Sequence, residues 1–287
     1  MSYEIQFLYK PEKPVSFGTL SISMYNRDFN EILSARDRAV IDTVWKNVQR
    51  ERGEAVYSKP GSLGTLYNCH GGMLVYRPTD FKTRLAIGLT FSKRTLSASV
   101  YEQMRVSCVN AVVRLADGSV FVHRRSSLVT HVPNMLDASV GGFADVNEQG
   151  ILDFEGALYE KLRRELKISD EEVGSAMLAS VHSSREPDFS GMCDFVVDTN
   201  LSVNDLERRI DRSYFAEYFV VSSDELPQFI IDHYLHRGDM APEGCATLLS
   251  SLEYHMFLEA VDHLTAAGAN IRFGHIKNGI FIPRQTL

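Results

Sequence analysis

The 287-residue sequence has no apolar run approaching the roughly 20 residues of a membrane-spanning helix. Its opening stretch, MSYEIQFLYKPEKP, has no apolar signal core, so a cytoplasmic location is expected. Cysteine is scarce: Cys69, Cys108, Cys193 and Cys245 are scattered without a Cys-x-x-Cys pair. That spacing argues against a disulfide frame or a thiolate zinc site and for reduced thiols. Basic charge is not in excess. The net charge of −7 argues against a nucleic-acid partner, which needs a basic surface. There are no repeats or low-complexity tracts, and nothing resembles a Ser-His-Asp set, a P-loop or a glycine-rich dinucleotide finger. What remains is a soluble globular composition, long enough for one or two domains.

Alternating apolar residues predict strands at Tyr3 to Tyr9, Leu20 to Met24 and Met73 to Tyr76, and a further strand from Arg84 to Phe91. Phe29 to Arg52 reads as a helix with Ile41, Val44, Trp45 and Val48 as its buried stripe, stopped by Gly53. Residues 1–105 are expected to form a small α+β unit. Residues 106–287 begin with a hairpin, Val109 to Leu115 and Val120 to His123, around Asp117-Gly118. Later strands are expected at Met177 to Val181, Cys193 to Val197 and Glu217 to Val221. Helices are expected at Leu201 to Ile210 and Asp224 to Leu235, with a long one from Met240 to near Gly268. Lys277-Asn278-Gly279 marks a closing hairpin.

The chain is organised around GGFADVNEQGILDFEGALYEKLRRELKI, residues 141–168. A double glycine ends an apolar run, and a polar loop leads to a helix with Ala157, Leu158, Leu162 and Leu166 at helical spacing. Asp153 is placed to cap it. Such a junction offers free backbone N–H groups and a positive helix terminus to an anion.

This stretch resembles the signature of the Nudix superfamily, in which a glycine and a loop precede a helix reading Arg-Glu-aliphatic-x-Glu-Glu-x-Gly-aliphatic. Leu162 and Ile168 keep the aliphatic places. Glu160-Lys161 stands for Arg-Glu, Arg164-Glu165 for Glu-Glu, and Lys167 for the glycine. A rival register starts the box at Arg164 and puts Gly150 at the glycine place, but Ile168 and Ser169 then fall at glutamate places. The echo extends upstream. A tryptophan-bearing helix and Ile87-Gly88-Leu89-Thr90 give the N-terminal part a layout similar to that of the superfamily's UDP-glucose pyrophosphatases.

The resemblance implies an α/β fold, a Nudix-type α/β/α sandwich with a mixed sheet. In the family, three glutamates on one helix face hold Mg²⁺. Here Lys161, Arg164 and Glu165 occupy those places, so a formal charge of minus three becomes plus one, from two cations and one carboxylate. That face repels a hard divalent ion, and Lys161 is expected to pair with Glu165 across one turn. No cofactor is fixed by the sequence. Mg²⁺ is the one the resemblance implies, and an enzyme of this type would hydrolyse a diphosphate-linked substrate.

The candidate catalytic residues are Glu165, also the surviving metal ligand, and Glu217, where some Nudix proteins bring a late base. The candidate ligand-binding residues are Arg124, Gly141, Gly142, Lys161 and Arg164, with Arg125 the alternative to Arg124 at the strand end. The partner expected is a nucleotide-like or other anionic small molecule, Lys161 and Arg164 taking its phosphate in place of a metal. The alternatives are an atypical Mg²⁺-dependent hydrolase drawing ligands from Glu165, Glu217, Asp145 and Glu148, and a recruited pocket or protein-interaction module. Each candidate has a plainer role: Glu165 as the partner of Lys161, Lys161 and Arg164 as a charged helix surface, Glu217 as a solvated strand-end glutamate, and Arg124 or Arg125 as an exposed strand end. Glu160 reads as an outer-face charge, and His70 and His182 as ordinary loop histidines.

Overall fold

A computed structural model describes residues 4–52, 61–127, 132–147, 149–184, 190–210 and 214–284. Tyr3, Gly53 and Glu148 lie outside these ranges. The strands are β1 (Glu4–Tyr9), β2 (Val15–Ser16), β3 (Ser21–Met24), β4 (Ser62–His70), β5 (Met73–Asp80), β6 (Val106–Arg114), β7 (Val120–Arg125), β8 (Leu136–Asp137), β9 (Val140–Phe143), β10 (Val173–Ser184), β11 (Ser190–Thr199), β12 (Phe215–Val221), β13 (Asn270–Lys277) and β14 (Ile280–Pro283). The helices are α1 (Ala35–Arg52), α2 (Phe81–Thr90), α3 (Ala98–Gln103), α4 (Phe154–Lys161), α5 (Val203–Glu207), α6 (Leu226–Ile231), α7 (Pro242–Ser250) and α8 (Tyr254–Ala266).

The fold is α/β, with helices on both faces of a mixed sheet. β6 shows why. Its sequence, VSCVNAVVR, is buried at every position but the last, as expected for a strand covered on both sides. It runs parallel to β11, from Val106 opposite Ser190 to Arg114 opposite Asp198. Val109, Ala111 and Val113 pack with Phe154, Leu158, Leu162 and Leu166 of the box helix. Val112 faces the other way, into a core with Leu248, Leu249 and Phe257 of α7 and α8.

The sheet runs β12-β7-β6-β11-β10-β1-β13-β4-β5-β3. Strands from either side of position 105 share it: β1 lies between β10, antiparallel, and β13, parallel. The helical part of residues 1–105 builds a third core, in which Phe29, Ile41 and Ile87 meet Val106 and Cys108 of β6.

Three local expectations are corrected. The stretch expected as a strand from Arg84 to Phe91 is helical. The Asp80 carboxylate accepts the Thr83 N–H at 2.7 Å, and Thr83, Ala86, Ile87 and Thr90 then fall on one buried helical face. The long helix after Met240 is two, α7 and α8, broken at Ser251–Glu253. The loop expected after Val181 starts later, because β10 continues through His182 to Ser184.

Candidate functional site

β9 places the double glycine against β6, with Gly141 opposite Asn110 and Gly142 opposite Val109. A Cβ on Gly141 would stand 2.1 Å from the Asn110 Oδ1, closer than any real contact. A Cβ on Gly142 would stand 2.8 Å from Lys161 Cε and 3.2 Å from its Nζ. The Lys161 side chain therefore lies along the glycine backbone, with only 12% of its area exposed.

The helix behind it starts where Asp153 accepts the Gly156 N–H at 2.8 Å. Leu158, Leu162 and Leu166 are fully buried and anchor it to the sheet. Its last turn widens to π geometry over Leu162–Leu166, and the Lys167 and Ile168 N–H groups both close on the Leu162 carbonyl. Lys167 has a φ of 55°, the left-handed conformation that the glycine of a Nudix box would adopt at no cost. Ile168 and Ser169 fall beyond the helix, so the rival register runs off its end.

The charges do not pair as expected. Glu165, 9% exposed, accepts from Arg164 Nη2 at 2.7 Å, not from Lys161. Glu160 does more than face solvent: it takes Arg164 Nη1 at 2.6 Å and Lys161 Nζ at 3.3 Å. Burial raises the Glu165 pKa above the ordinary carboxylate value, against the pull of Arg164 and Lys161. Asp145 is raised by the same cause, opposed by Lys161. Two cations thus meet three carboxylates, and the local sum is minus one rather than plus one. Those carboxylates nevertheless form a poor Mg²⁺ donor set. Glu160 is taken by both cations and Glu165 by Arg164, and an incoming ion must displace an ammonium and a guanidinium. Among the described residues, no three His, Cys, Asp or Glu side chains converge as a metal group.

Arg124 and Glu217 are brought together, away from this helix. They are cross-strand partners in β7 and β12, joined at 3.0 Å. Arg124 also donates to Asp239 Oδ2 at 2.9 Å and to the Asn134 carbonyl at 2.9 Å. Asp239 takes His233 Nδ1 at 2.8 Å on its other oxygen. Burial works to raise Asp239, but these two bonds hold it below its ordinary value. Each nitrogen of the arginine thus has a partner, two of them carboxylates and one a backbone carbonyl. Beside it, Arg125 pairs with Asp137 at 2.7 Å over the buried His123, whose pKa burial lowers to about 4.

A second buried polar group lies on the opposite face of the sheet, built from residues that no motif or spacing marks. α7 is buried at every residue, yet Glu243, Thr247 and Ser250 form a polar stripe along it. His182, expected in a loop, is fully buried in β10 and its Nδ1 stands 2.6 Å from Asp194 Oδ2. Thr247 donates to Asp194 Oδ1 at 2.8 Å, Asn110 donates to Thr247 at 3.1 Å, and Ser180 meets Asp194 and Ser250. Lys10 caps the row, donating to the Ser250 carbonyl at 3.2 Å.

No family model matches the sequence. No curated protein matches it. Similar solved structures include a hypothetical Nudix protein from Deinococcus radiodurans, with a TM-score of 0.37 and 23% identity over 52% of this chain and 82% of that one. The MutT protein from Methanosarcina mazei Go1 gives 0.34 and 18% over 54% and 92%. A Nudix hydrolase from M. smegmatis, RenU, gives 0.33 and 13% over 58% and 88%. Likeness at this level assigns no family to this chain.

Proposed function

We propose that this chain is a Nudix-fold protein that binds a nucleotide-like or other anionic small molecule without the metal, having lost or altered metal-dependent pyrophosphate cleavage. The observation that carries this is the place of Lys161. Its ammonium lies against the Gly142 backbone, where the box would present a glutamate and its metal. A lysine there offers a compact positive charge to a phosphate beside the N–H groups of the glycine turn. Arg164 is held by Glu160 and Glu165 and serves to hold that edge of the helix rather than to bind. Glu165 and Glu217 each accept from an arginine, Arg164 and Arg124, which leaves neither as a free base for an attacking water.

Binding of UDP-glucose and ADP-ribose, measured by calorimetry with EDTA and with Mg²⁺, tests this. Binding unchanged by EDTA and lost in Lys161→Gln is expected. Mg²⁺- or Mn²⁺-dependent turnover that disappears in Glu165→Gln would overturn it and install the atypical hydrolase instead.

A further inference from the structure

Three side chains that the ligand site does not use stand in one row across β13, β4 and β5. β4 and β5 form a hairpin closed by Gly71 and Gly72, whose φ values of 57° and 83° fit a tight turn that only glycine adopts freely. The residues flanking that turn, His70 and Met73, are directly opposed. Their neighbours Cys69 and Leu74 are fully buried on the inner face, so His70 and Met73 stand on the outer one. On the other side of β4, Ile276 pairs with Cys69 in antiparallel register. The next step of that register sets His275 opposite His70, and the two rings touch with centroids 5.4 Å apart at 73°.

We propose that His70, His275 and Met73 form a surface site for a soft transition-metal ion, copper(I). The geometry of the two imidazoles suits a shared ion. A ring nitrogen binds a metal at about 2 Å, which sets each centroid about 3 Å from it, so two rings at a tetrahedral angle lie about 5 Å apart. Their observed separation is 5.4 Å. No hydrogen bond among the described residues holds either imidazole, so binding breaks none. The third donor decides the metal. Met73 is 49% exposed, and as the cross-strand partner of His70 its Cβ stands about 5 Å from the histidine's, a span that its flexible thioether side chain can cover. A thioether beside two imidazoles, with no carboxylate in the row, selects a soft monovalent ion over Mg²⁺, Ca²⁺ or Mn²⁺. Ile282, opposite His275 on β14, extends the row with an apolar rim on that side.

The site is independent of the proposed nucleotide function, and so is its test. The full chain is titrated anaerobically with copper(I) against a chromophoric chelator, with Ni²⁺ and Zn²⁺ in parallel. One equivalent of copper(I) is expected to be withdrawn by the wild type. His70→Gln and His275→Gln should each weaken it tenfold or more. Met73→Leu should weaken copper(I) by a similar factor while leaving Ni²⁺ and Zn²⁺ unchanged. All three residues are on the outer face, and far-ultraviolet circular dichroism confirms that the variants fold. Equal copper(I) uptake by the wild type and the double variant His70→Gln/His275→Gln would overturn the site. So would copper(I) affinity indifferent to Met73→Leu. A wild type that leaves all copper(I) on the chelator would also overturn it.

Discussion

Lys10 gives the sharpest quantitative test of the buried polar row. Burial lowers its pKa from 10.5 to about 8, with Asp194 pulling the other way. In the unfolded chain the amine keeps its ordinary value, so between pH 8 and 10.5 the unfolded state carries more protons. Stability therefore rises with pH across that window. Below pH 8 both states are charged and the folded state bears the whole cost, about 3 kcal/mol at 1.36 kcal/mol per pH unit. Lys10→Met removes the titration while keeping the length of the side chain. By pH 9 most folded molecules have a neutral Lys10 while the unfolded chains remain charged, so the wild type has recovered about 1 kcal/mol that the variant never lost. The stability difference between the two proteins should therefore shift by about 1 kcal/mol in favour of the wild type from pH 7 to pH 9. Urea unfolding of both proteins at pH 7, 8 and 9 measures it. Parallel stability curves for the two proteins would refute the placement of Lys10 in a desolvated site facing Asp194.

Asp194→Asn should cost about 3–5 kcal/mol in denaturant unfolding, because His182, Ser180 and Thr247 all direct donors at this buried carboxylate. His123, held neutral by burial, should make the fold acid-sensitive: its folded pKa of about 4 lies below 6.5, so stability falls as pH drops from 6.5 towards 4. His123→Phe should flatten that part of a thermal-unfolding pH profile. Gly141→Ala should destabilise by about 1–3 kcal/mol through the clash with Asn110, and the cost should shrink when Asn110→Ala is made as well, which a double-mutant cycle reads directly.

Local pattern carried much of the fold. The apolar run of β6, the leucine spacing of the box helix and the Asp117-Gly118 turn each name a structure that forms as read, because each depends on residues a few positions apart. α2 shows the limit. Leu85, Ile87 and Leu89 alternate as a strand would, and the carboxylate of Asp80 decides for a helix by taking the first free N–H. The polar row under α7 was illegible for a different reason. Thr247 meets Asp194 and Asn110 across separations of 53 and 137 residues, and nothing in the composition of either segment announces the partner. His70 and His275, the pair proposed to share a metal, are likewise set opposite each other only by the sheet.

The box helix shows why a motif alone misjudges electrostatics. Comparing three positions with a family pattern yields a face of charge plus one. The folded face also contains Glu160, which the pattern treats as an arginine place, and Asp145, which comes from the preceding loop and pairs in a β-bridge with Leu63 of β4. Those two carboxylates reverse the sign. The obstacle to a divalent ion is thus not long-range repulsion, which salt would screen, but occupation: both Glu160 oxygens and Glu165 Oε1 already accept from cations of the same helix. The two causes separate in one experiment. If repulsion governs, high ionic strength should restore Mg²⁺ binding to the wild type. If occupation governs, salt should do little, whereas Lys161→Glu with Arg164→Glu, which removes both cations and rebuilds three carboxylates with Glu165, should bind Mn²⁺ by calorimetry where the wild type does not. Mn²⁺ binding recovered by salt alone would sink the occupation account.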